Sequence, residues 1–229
     1  MIFDMTKRTS GGGGGGYTLA DIAAGIAPNG SIEIGVTTVA PRAINKKPIT
    51  TARSNMVTMI DDYGLAYNDN LTSVFMPKAT VGQYALSYNP YMTVAVASGG
   101  GSYKAGCIGY CTRLQTVDMT GLSSSGLFIS GMCFANDPAL TTLILRHSAI
   151  ISLQNIDAFI STPFASGGTG GTIYIPKSLY DHLGDGTSSD YKAASNWSTM
   201  DGYGTITWAK IEGSIYETQY ADGTPIPTT

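Results

Sequence analysis

Few side chains in this sequence have the type and spacing that catalysis or metal binding requires. The two histidines, His147 and His182, stand in no pattern of nucleophile and base. His147 follows an apolar, strand-like run, and we expect it on the surface of the fold. His182 lies in an acidic stretch, Asp181–Asp190, that lacks the alternating aspartates and the closing glutamate of a calcium-binding loop. The sequence therefore predicts no metal site.

The remaining reactive residues also lack a catalytic arrangement. The cysteines, Cys107, Cys111 and Cys133, do not have the paired spacing of a structural zinc site, and we interpret them as small apolar core residues. Asp61 and Asp62 are adjacent, whereas a glycosidase needs two carboxyl groups that face each other across a cleft. The glycine run 11–16 is not followed by the Gly-Lys-Ser/Thr of a phosphate-binding loop. We predict a protein that is not an enzyme and that binds no cofactor.

The composition favours a protein whose surface is covered by partners or by copies of itself. Charged residues make up 13% of the chain, whereas an ordinary soluble domain has about 25%. The net charge of −3 and the lack of a Lys/Arg run argue against nucleic-acid binding. The sequence has neither an apolar run of membrane-spanning length nor the apolar core of a signal peptide. We therefore expect synthesis in a cytoplasm and no membrane insertion.

An internal repeat dominates the middle of the chain. Four segments each carry a small residue, then Tyr or Asn, then Asn, Cys or Asp, and then a pattern of the form L-x-x-V-x-M. Their leading apolar residues, Leu71, Met92, Leu114 and Leu140, are 21, 22 and 26 positions apart, which is the spacing of leucine-rich repeats. Stacked coils of this kind bury a continuous core. The expected core residues are Leu71, Val74, Met92, Leu114, Val117, Leu140 and Leu143.

The pattern changes after the repeats. Two short helical segments and a final strand contain both tryptophans, Trp197 and Trp208, which we expect to cover the open end of the solenoid. The predicted fold is mainly β with short helices: a leucine-rich-repeat solenoid with an N-terminal arm and an α/β C-terminal cap. The predicted segments are an arm (1–16), an N-terminal helix with capping strands (17–54), the solenoid (55–177), the cap (178–214) and an extended tail (215–229).

The terminal block carries a more specific resemblance. The motifs I-Y-I-P-K-S-L, Y-K-A-A-S-N-W-S and A-K-I-E-G-S, together with the repeats, resemble BspA-type leucine-rich-repeat proteins over about residues 55–214. In this chain the usual Phe and Cys of the repeat are often Tyr and Asn. Proteins of this type occur on the surfaces of gut and oral bacteria and in virions of the phages that infect them. The resemblance therefore implies a surface-presenting role.

The first residues have the composition of an assembly arm. Ile2, Phe3 and Met5 are apolar and precede six consecutive glycines, Gly11 to Gly16. Such a tract is flexible by itself, and ordering it costs about 1–2 kcal/mol per residue. An ordered arm would therefore need a partner. A short amphipathic helix is expected to follow, at residues 17–26.

Together these features predict a non-catalytic structural or adhesive component of a phage virion, such as a capsid decoration, head fibre or tail protein. The expected partners are other virion proteins and copies of the chain itself, as a homo-oligomer. A host-surface protein or glycan is a further possible partner, because the 14 tyrosines offer large contact area at low entropic cost. The alternative is a leucine-rich-repeat adhesin of the bacterial cell surface.

Overall fold

The computed structural model describes residues 30–98, 102–121 and 128–227, and these form a parallel β-solenoid. The mainly β repeat solenoid with few short helices that the sequence predicts is confirmed. The predicted arm, with Ile2, Phe3, Met5, Gly11 and Gly16, and the predicted helix at 17–26 lie outside the described residues. Among the described residues, none forms a helix long and apolar enough to cross a membrane.

The strands are short, and each described strand consists of two to five residues. They are β1 (Ser31–Glu33), β2 (Thr38–Val39), β3 (Thr51–Arg53), β4 (Met59–Ile60), β5 (Ser73–Met76), β6 (Thr80–Val81), β7 (Val94–Ser98), β8 (Ser102–Tyr103), β9 (Thr116–Thr120), β10 (Phe128–Ile129), β11 (Thr142–Leu145), β12 (Ser152–Leu153), β13 (Gly171–Ile175) and β14 (Ile206–Lys210). The helices are α1 (Lys177–Tyr180) and α2 (Trp197–Asp201), with 3-10 turns at Ile156–Phe159 and Ile215–Glu217.

One long sheet runs along the solenoid. It has eight strands in the order β1-β3-β5-β7-β9-β11-β13-β14, all paired in parallel, and is called the main sheet below. Two three-stranded sheets, β2-β4-β6 and β8-β10-β12, form the return side of the coils. The main sheet therefore begins before the predicted solenoid boundary at residue 55 and continues past residue 177, because β1, β3 and β14 belong to it.

The main sheet has an inner and an outer row of side chains, because successive residues of a strand point to opposite faces. One row of the inner face is fully buried against the return side and consists of Ala52, Val74, Ala95, Val117, Leu143 and Ile173. Burial of each Val, Leu or Ile in this row contributes about 1.5–3 kcal/mol relative to exposure. The outer row consists of Arg53, Phe75, Val96, Asp118, Ile144 and Tyr174.

Each coil turns into the main sheet through a six-residue corner. The corners that align with one another are Arg42–Lys47, Tyr63–Asn68, Tyr84–Asn89, Gly106–Cys111 and Met132–Asp137. In every one, the first and fifth residues have positive φ, between 52° and 66°. The fourth residue lies in a turn, as where Ala66 N donates to Tyr63 O at 3.3 Å. The corner backbone is thus repeated although its side chains differ.

Buried polar side chains at the sixth corner position join neighbouring coils. Asn68 Oδ1 accepts from Lys47 N, and Asn89 Oδ1 accepts from Asn68 N, both at 2.8 Å. The amide Nδ2 atoms donate within their own corner, from Asn68 to Leu65 O and from Asn89 to Leu86 O, each at 2.6 Å. This asparagine ladder satisfies backbone groups that burial would otherwise leave unpaired.

The C-terminal end of the core is closed by aromatic rings. Trp197 is fully buried, and its Nε1 donates to Ile151 O at 2.7 Å. The Tyr191 hydroxyl accepts from Ile151 N at 3.0 Å, its ring meets Trp197 edge-on at 5.4 Å, and burial raises the pKa of Tyr191. Trp208 is partly buried, with its Nε1 donating to Asp201 Oδ1 at 2.7 Å. The two tryptophans that the sequence assigned to the cap thus lie in one aromatic cluster.

Candidate binding surface

The corners place five tyrosines on one side of the solenoid. Tyr63 and Tyr84 occupy the first corner position, and Tyr67, Tyr88 and Tyr110 occupy the fifth. Each ring is partly exposed, in contrast to the buried residues between them. We call these five residues the tyrosine face.

The backbone of each face tyrosine is left-handed, which is unusual for a bulky residue. The conformation has a structural use, because each tyrosine N–H donates to the next coil. Tyr67 N donates to Ser87 O at 3.1 Å, and Tyr110 N donates to Ala135 O at 2.8 Å. The coil-to-coil hydrogen bonds therefore offset a local strain of about 1–2 kcal/mol per residue.

The rings stack along the solenoid axis. Tyr88 lies between Tyr67 and Tyr110, with ring centroids 4.5 and 4.6 Å away and interplanar angles of 3° and 12°. Tyr63 stacks on Tyr84 at 5.2 Å in the neighbouring column. Both faces of the Tyr88 ring are therefore covered, and an incoming partner meets the ring edges and hydroxyl groups. A phenol hydroxyl both donates and accepts hydrogen bonds.

Two cationic side chains lie at one end of the face. The Arg42 guanidinium lies 5.3 Å from the centroid of Tyr63, and Lys46 Nζ lies 5.8 Å from the centroid of Tyr67. Both residues occupy the same corner positions as the tyrosines, one coil earlier. Burial, and then the neighbouring tyrosines, raise the pKa of Tyr88. The face is thus a neutral hydroxyl surface with positive charge at one end.

Gly106 ends the first column. Its φ is +64°, and a Cβ at this position would lie 2.3 Å from Cε1 of Tyr84. The Tyr84 ring therefore packs directly against the Gly106 backbone, and a side chain at this position would displace it. The next residue in this column is Met132, and Asn136 follows Tyr110 in the other.

A second surface, the outer row of the main sheet, is covered by the chain itself. Residues 215–227, the C-terminal strap, contain a 3-10 turn and a bridge between Gln219 and Pro225 in place of the extended tail that we expected. The Tyr220 ring lies 5.4 Å from Phe75, and a groove lined by Phe75, Pro77 and Pro225 remains beside it. Phe75, Val96, Asp118 and Ile144 of the outer row are buried.

A buried ion pair fixes the strap. Arg146 donates to both oxygens of Asp118, at 2.7 and 2.8 Å, and also to Tyr216 O and Gln219 O of the strap. Asp118 accepts from Ala221 N at 2.9 Å. Burial raises the pKa of Asp118 despite the opposing effect of Arg146. No local pattern in the sequence predicts this ion pair, because Asp118, Arg146 and the strap are far apart in the chain.

Most of the other candidate residues that the sequence suggests are buried in the core. The expected repeat-core residues Leu71, Val74, Met92, Leu114, Val117, Leu140 and Leu143 are all fully buried, as are the three cysteines. His147 is also buried, 3% exposed, whereas we expected a surface position. Its ring lies against the Gly121 backbone, where a Cβ would be 2.9 Å from Cδ2 of His147. Its ring nitrogens have no partner among the described residues, and burial lowers its pKa to about 4.

The polar side chains of the acidic stretch in the cap bond to groups nearby in the chain. His182 Nδ1 and Asp185 Oδ2 are 2.6 Å apart on the surface, and Asp190 accepts from Gly186 N and Lys192 N. Within the described part of the chain, no group of three or more His, Cys, Asp or Glu side chains is arranged to hold a metal ion. The tyrosine face is therefore the strongest candidate for a functional surface.

Comparison with known proteins adds no family to this description. The chain matches no protein-family model, and no curated protein is significantly similar to it.

Proposed function

We propose that this chain is a non-catalytic repeat protein that binds a partner through the tyrosine face. The observation that carries the proposal is the array of five stacked tyrosines, held by strained corners on the side that the strap leaves uncovered. Preorganised aromatic residues lose little entropy on binding and are common among the residues that dominate interface energies. Rows of phenol hydroxyls suit a hydroxyl-rich or amide-rich partner, such as a glycan or a protein surface.

At the level of biology, we propose a structural or adhesive component of a phage virion, located in a capsid decoration, head fibre or tail. The terminal motifs that resemble BspA-type proteins, the low content of charge and the apolar residues before the glycine run support this role. In this proposal the arm joins the chain to other virion proteins or to its own copies, and the tyrosine face is presented outward. A bacterial cell-surface adhesin is the second candidate, since the same motifs and face would serve it.

The binding proposal is tested with Tyr88→Ser in the full chain on an array of bacterial surface glycans and purified surface proteins. Tyr88 is the central ring of its column, and the change removes its phenol hydroxyl from the face together with two stacking contacts. We expect affinity for a spot bound by the wild type to fall about 30-fold, equivalent to about 2 kcal/mol at a central aromatic contact.

The matched control is Tyr91→Ser, because Tyr91 is 46% exposed, packs against Arg113 and belongs to neither tyrosine column. It should leave affinity unchanged. Equal loss in both variants, or retained binding in Tyr88→Ser, would contradict a role for the face.

The virion proposal is tested by deletion of residues 1–16 in a producing phage. We expect the truncated chain to fold and to be absent from purified particles, in which the full chain is present at fixed stoichiometry. Incorporation without the arm would contradict arm-mediated assembly. A full chain found only as a free monomer would contradict the virion role and favour the adhesin.

A further inference from the structure

Two cysteines lie beside each other at the same position of neighbouring coils. Cys107 and Cys133 are both the second residue of a corner, and Ile108 N donates to Cys133 O at 3.1 Å, which fixes the coil register at this point. Their Sγ atoms are 2.7 Å apart, and both side chains are fully buried. The equivalent residues of the adjacent coils are the small, buried Ala85 and Ala158.

Cys111 provides an internal contrast. It is equally buried and lies four residues after Cys107, but its Sγ donates to Ile108 O at 3.0 Å and to Leu86 O at 3.4 Å. It takes the place of an asparagine in the ladder. Its thiol is therefore held by backbone carbonyl groups, whereas the thiols of Cys107 and Cys133 face each other.

We propose that Cys107 and Cys133 form a disulfide bond between neighbouring coils when the chain folds in the presence of an oxidising disulfide such as glutathione disulfide. Neighbouring parallel strands lie about 4.8 Å apart, and disulfides join residues whose Cα atoms are about 4.4–6.8 Å apart. Two inward-facing cysteines in register on adjacent coils meet this requirement without movement of the backbone. This inference does not depend on the proposed binding function.

The chemistry is two successive thiol–disulfide exchanges. The thiolate of Cys107 attacks glutathione disulfide, forms a mixed disulfide and releases one glutathione. The thiolate of Cys133 then attacks the Cys107 sulfur and releases the second glutathione. Two cysteine thiols are oxidised and one glutathione disulfide is reduced to two glutathione molecules, with the cysteine protons carried by the leaving thiolates.

Burial determines when this reaction occurs. It raises the pKa of the Cys133 thiol and excludes a reagent as large as glutathione from the closed core. We therefore expect rapid oxidation while the chain folds and slow oxidation once it is folded. A chain made in a reducing cytoplasm would fold with free thiols, and one that folds or transiently opens in an oxidising medium would become cross-linked. The bond would link the coils at β8 and β10 and constrain the unfolded chain.

The test is refolding of the full chain from denaturant with reduced and oxidised glutathione or with dithiothreitol alone. Each product is unfolded again, alkylated with iodoacetamide and weighed intact. We expect one alkylated cysteine after oxidative refolding and three after reductive refolding. Trypsin releases Cys107 and Cys111 in one peptide, residues 105–113, so chymotryptic cleavage after Tyr110 is needed to assign the bond.

Variants separate the pair from the third cysteine. Cys111→Ala should still lose both remaining thiols on oxidative refolding, whereas Cys133→Ala should retain its thiols or form only mixed disulfides. Wild-type peptide mapping needs no variant and decides the outcome even if a variant folds poorly. Three alkylated cysteines after oxidative refolding, or a bond that includes Cys111, would overturn the proposal.

Discussion

The first and second halves of the solenoid build the same corner from different side chains. At Tyr63–Asn68 and Tyr84–Asn89 the corner has two stacked tyrosines outside and a ladder asparagine inside. At Gly106–Cys111 and Met132–Asp137 the backbone repeats, but glycine, methionine and asparagine interrupt the tyrosine columns, and Cys111 and Asp137 replace the inner asparagines. The backbone path is therefore set by register and turn geometry, and the side chains set which groups each half exposes and which hydrogen bonds it makes inside.

The largest loss of stability is expected from Asn89→Ala, in the half whose corners carry the tyrosines and the ladder asparagines. Asn89 is buried, accepts from Asn68 N and donates to Leu65 O and Leu86 O. Its loss removes the acceptor of Asn68 N and leaves Leu86 O with only the long contact from Cys111 Sγ, whereas Leu65 O keeps its hydrogen bond from Asn68 Nδ2. Each buried group left unsatisfied costs about 1–3 kcal/mol. We expect the free energy of unfolding to fall by about 3–5 kcal/mol, as measured by urea denaturation.

Asn70→Ala is the control for this change, since Asn70 is exposed and only two residues from Asn68. A surface substitution of this kind should alter stability by less than about 0.5 kcal/mol. Similar losses in the free energy of unfolding for Asn70→Ala and Asn89→Ala would contradict a stabilising role of the asparagine ladder.

Gly106→Ala tests the point at which the two halves meet. The new methyl group would be strained by the φ of +64° and would collide with the Tyr84 ring, 2.3 Å from its Cε1. We expect a loss of about 2–4 kcal/mol from the strained backbone and the crowded ring together. Thermal and chemical unfolding measure the loss, and near-ultraviolet circular dichroism reports the displaced tyrosine.

Gly184→Ala separates these two causes. Gly184 has a similar φ of +87°, but nothing lies within 4 Å of the added methyl group. It should cost only the backbone part, about 1–2 kcal/mol, with an unchanged tyrosine spectrum. If both glycine variants lose the same stability, the Tyr84 contact with Gly106 contributes nothing.

Asp137→Asn places a ladder asparagine at the sixth corner position in the second half, as in the first half. Asp137 Oδ1 accepts from Cys111 N at 2.7 Å, but its buried Oδ2 has no partner among the described residues. Asn68 and Asn89 donate from this position to a carbonyl group of their own corner. We expect Asp137→Asn to stabilise the protein at pH 7 by about 1–2 kcal/mol.

The pH dependence of this gain has a definite sign. Burial raises the pKa of Asp137 well above its ordinary value, so the folded wild type binds a proton more tightly than the unfolded chain does. Wild-type stability from this group is full below the unfolded pKa of about 4 and is lost as pH rises through the folded pKa. The advantage of the asparagine variant should grow as pH rises above about 4. A constant advantage over this range would contradict a raised pKa.

The repeated features of the fold could be predicted from the sequence, whereas contacts between segments that are far apart in the chain could not. The spacing of Leu71, Met92, Leu114 and Leu140 was sufficient for the solenoid, since an apolar residue at a fixed period must face the core. The positive φ of Tyr67 and Tyr88 could not be predicted, because tyrosine has no preference for that conformation and the coil register imposes it. The burial of Asp118 depends on the strap, whose residues lie at the other end of the chain.

The smallest expected effect comes from Asn136→Tyr, which extends the column of Tyr67, Tyr88 and Tyr110 by one ring. A stacked aromatic pair contributes about 0.5–1.5 kcal/mol. Asparagine tolerates a left-handed backbone better than tyrosine does, and Asn136 has a φ of 60°, so the exchange also costs stability. We expect these effects to offset each other within about 1 kcal/mol and the near-ultraviolet tyrosine signal to increase. A larger loss of stability would show that the second half cannot accommodate the regular corner, and that its interruptions are required by packing.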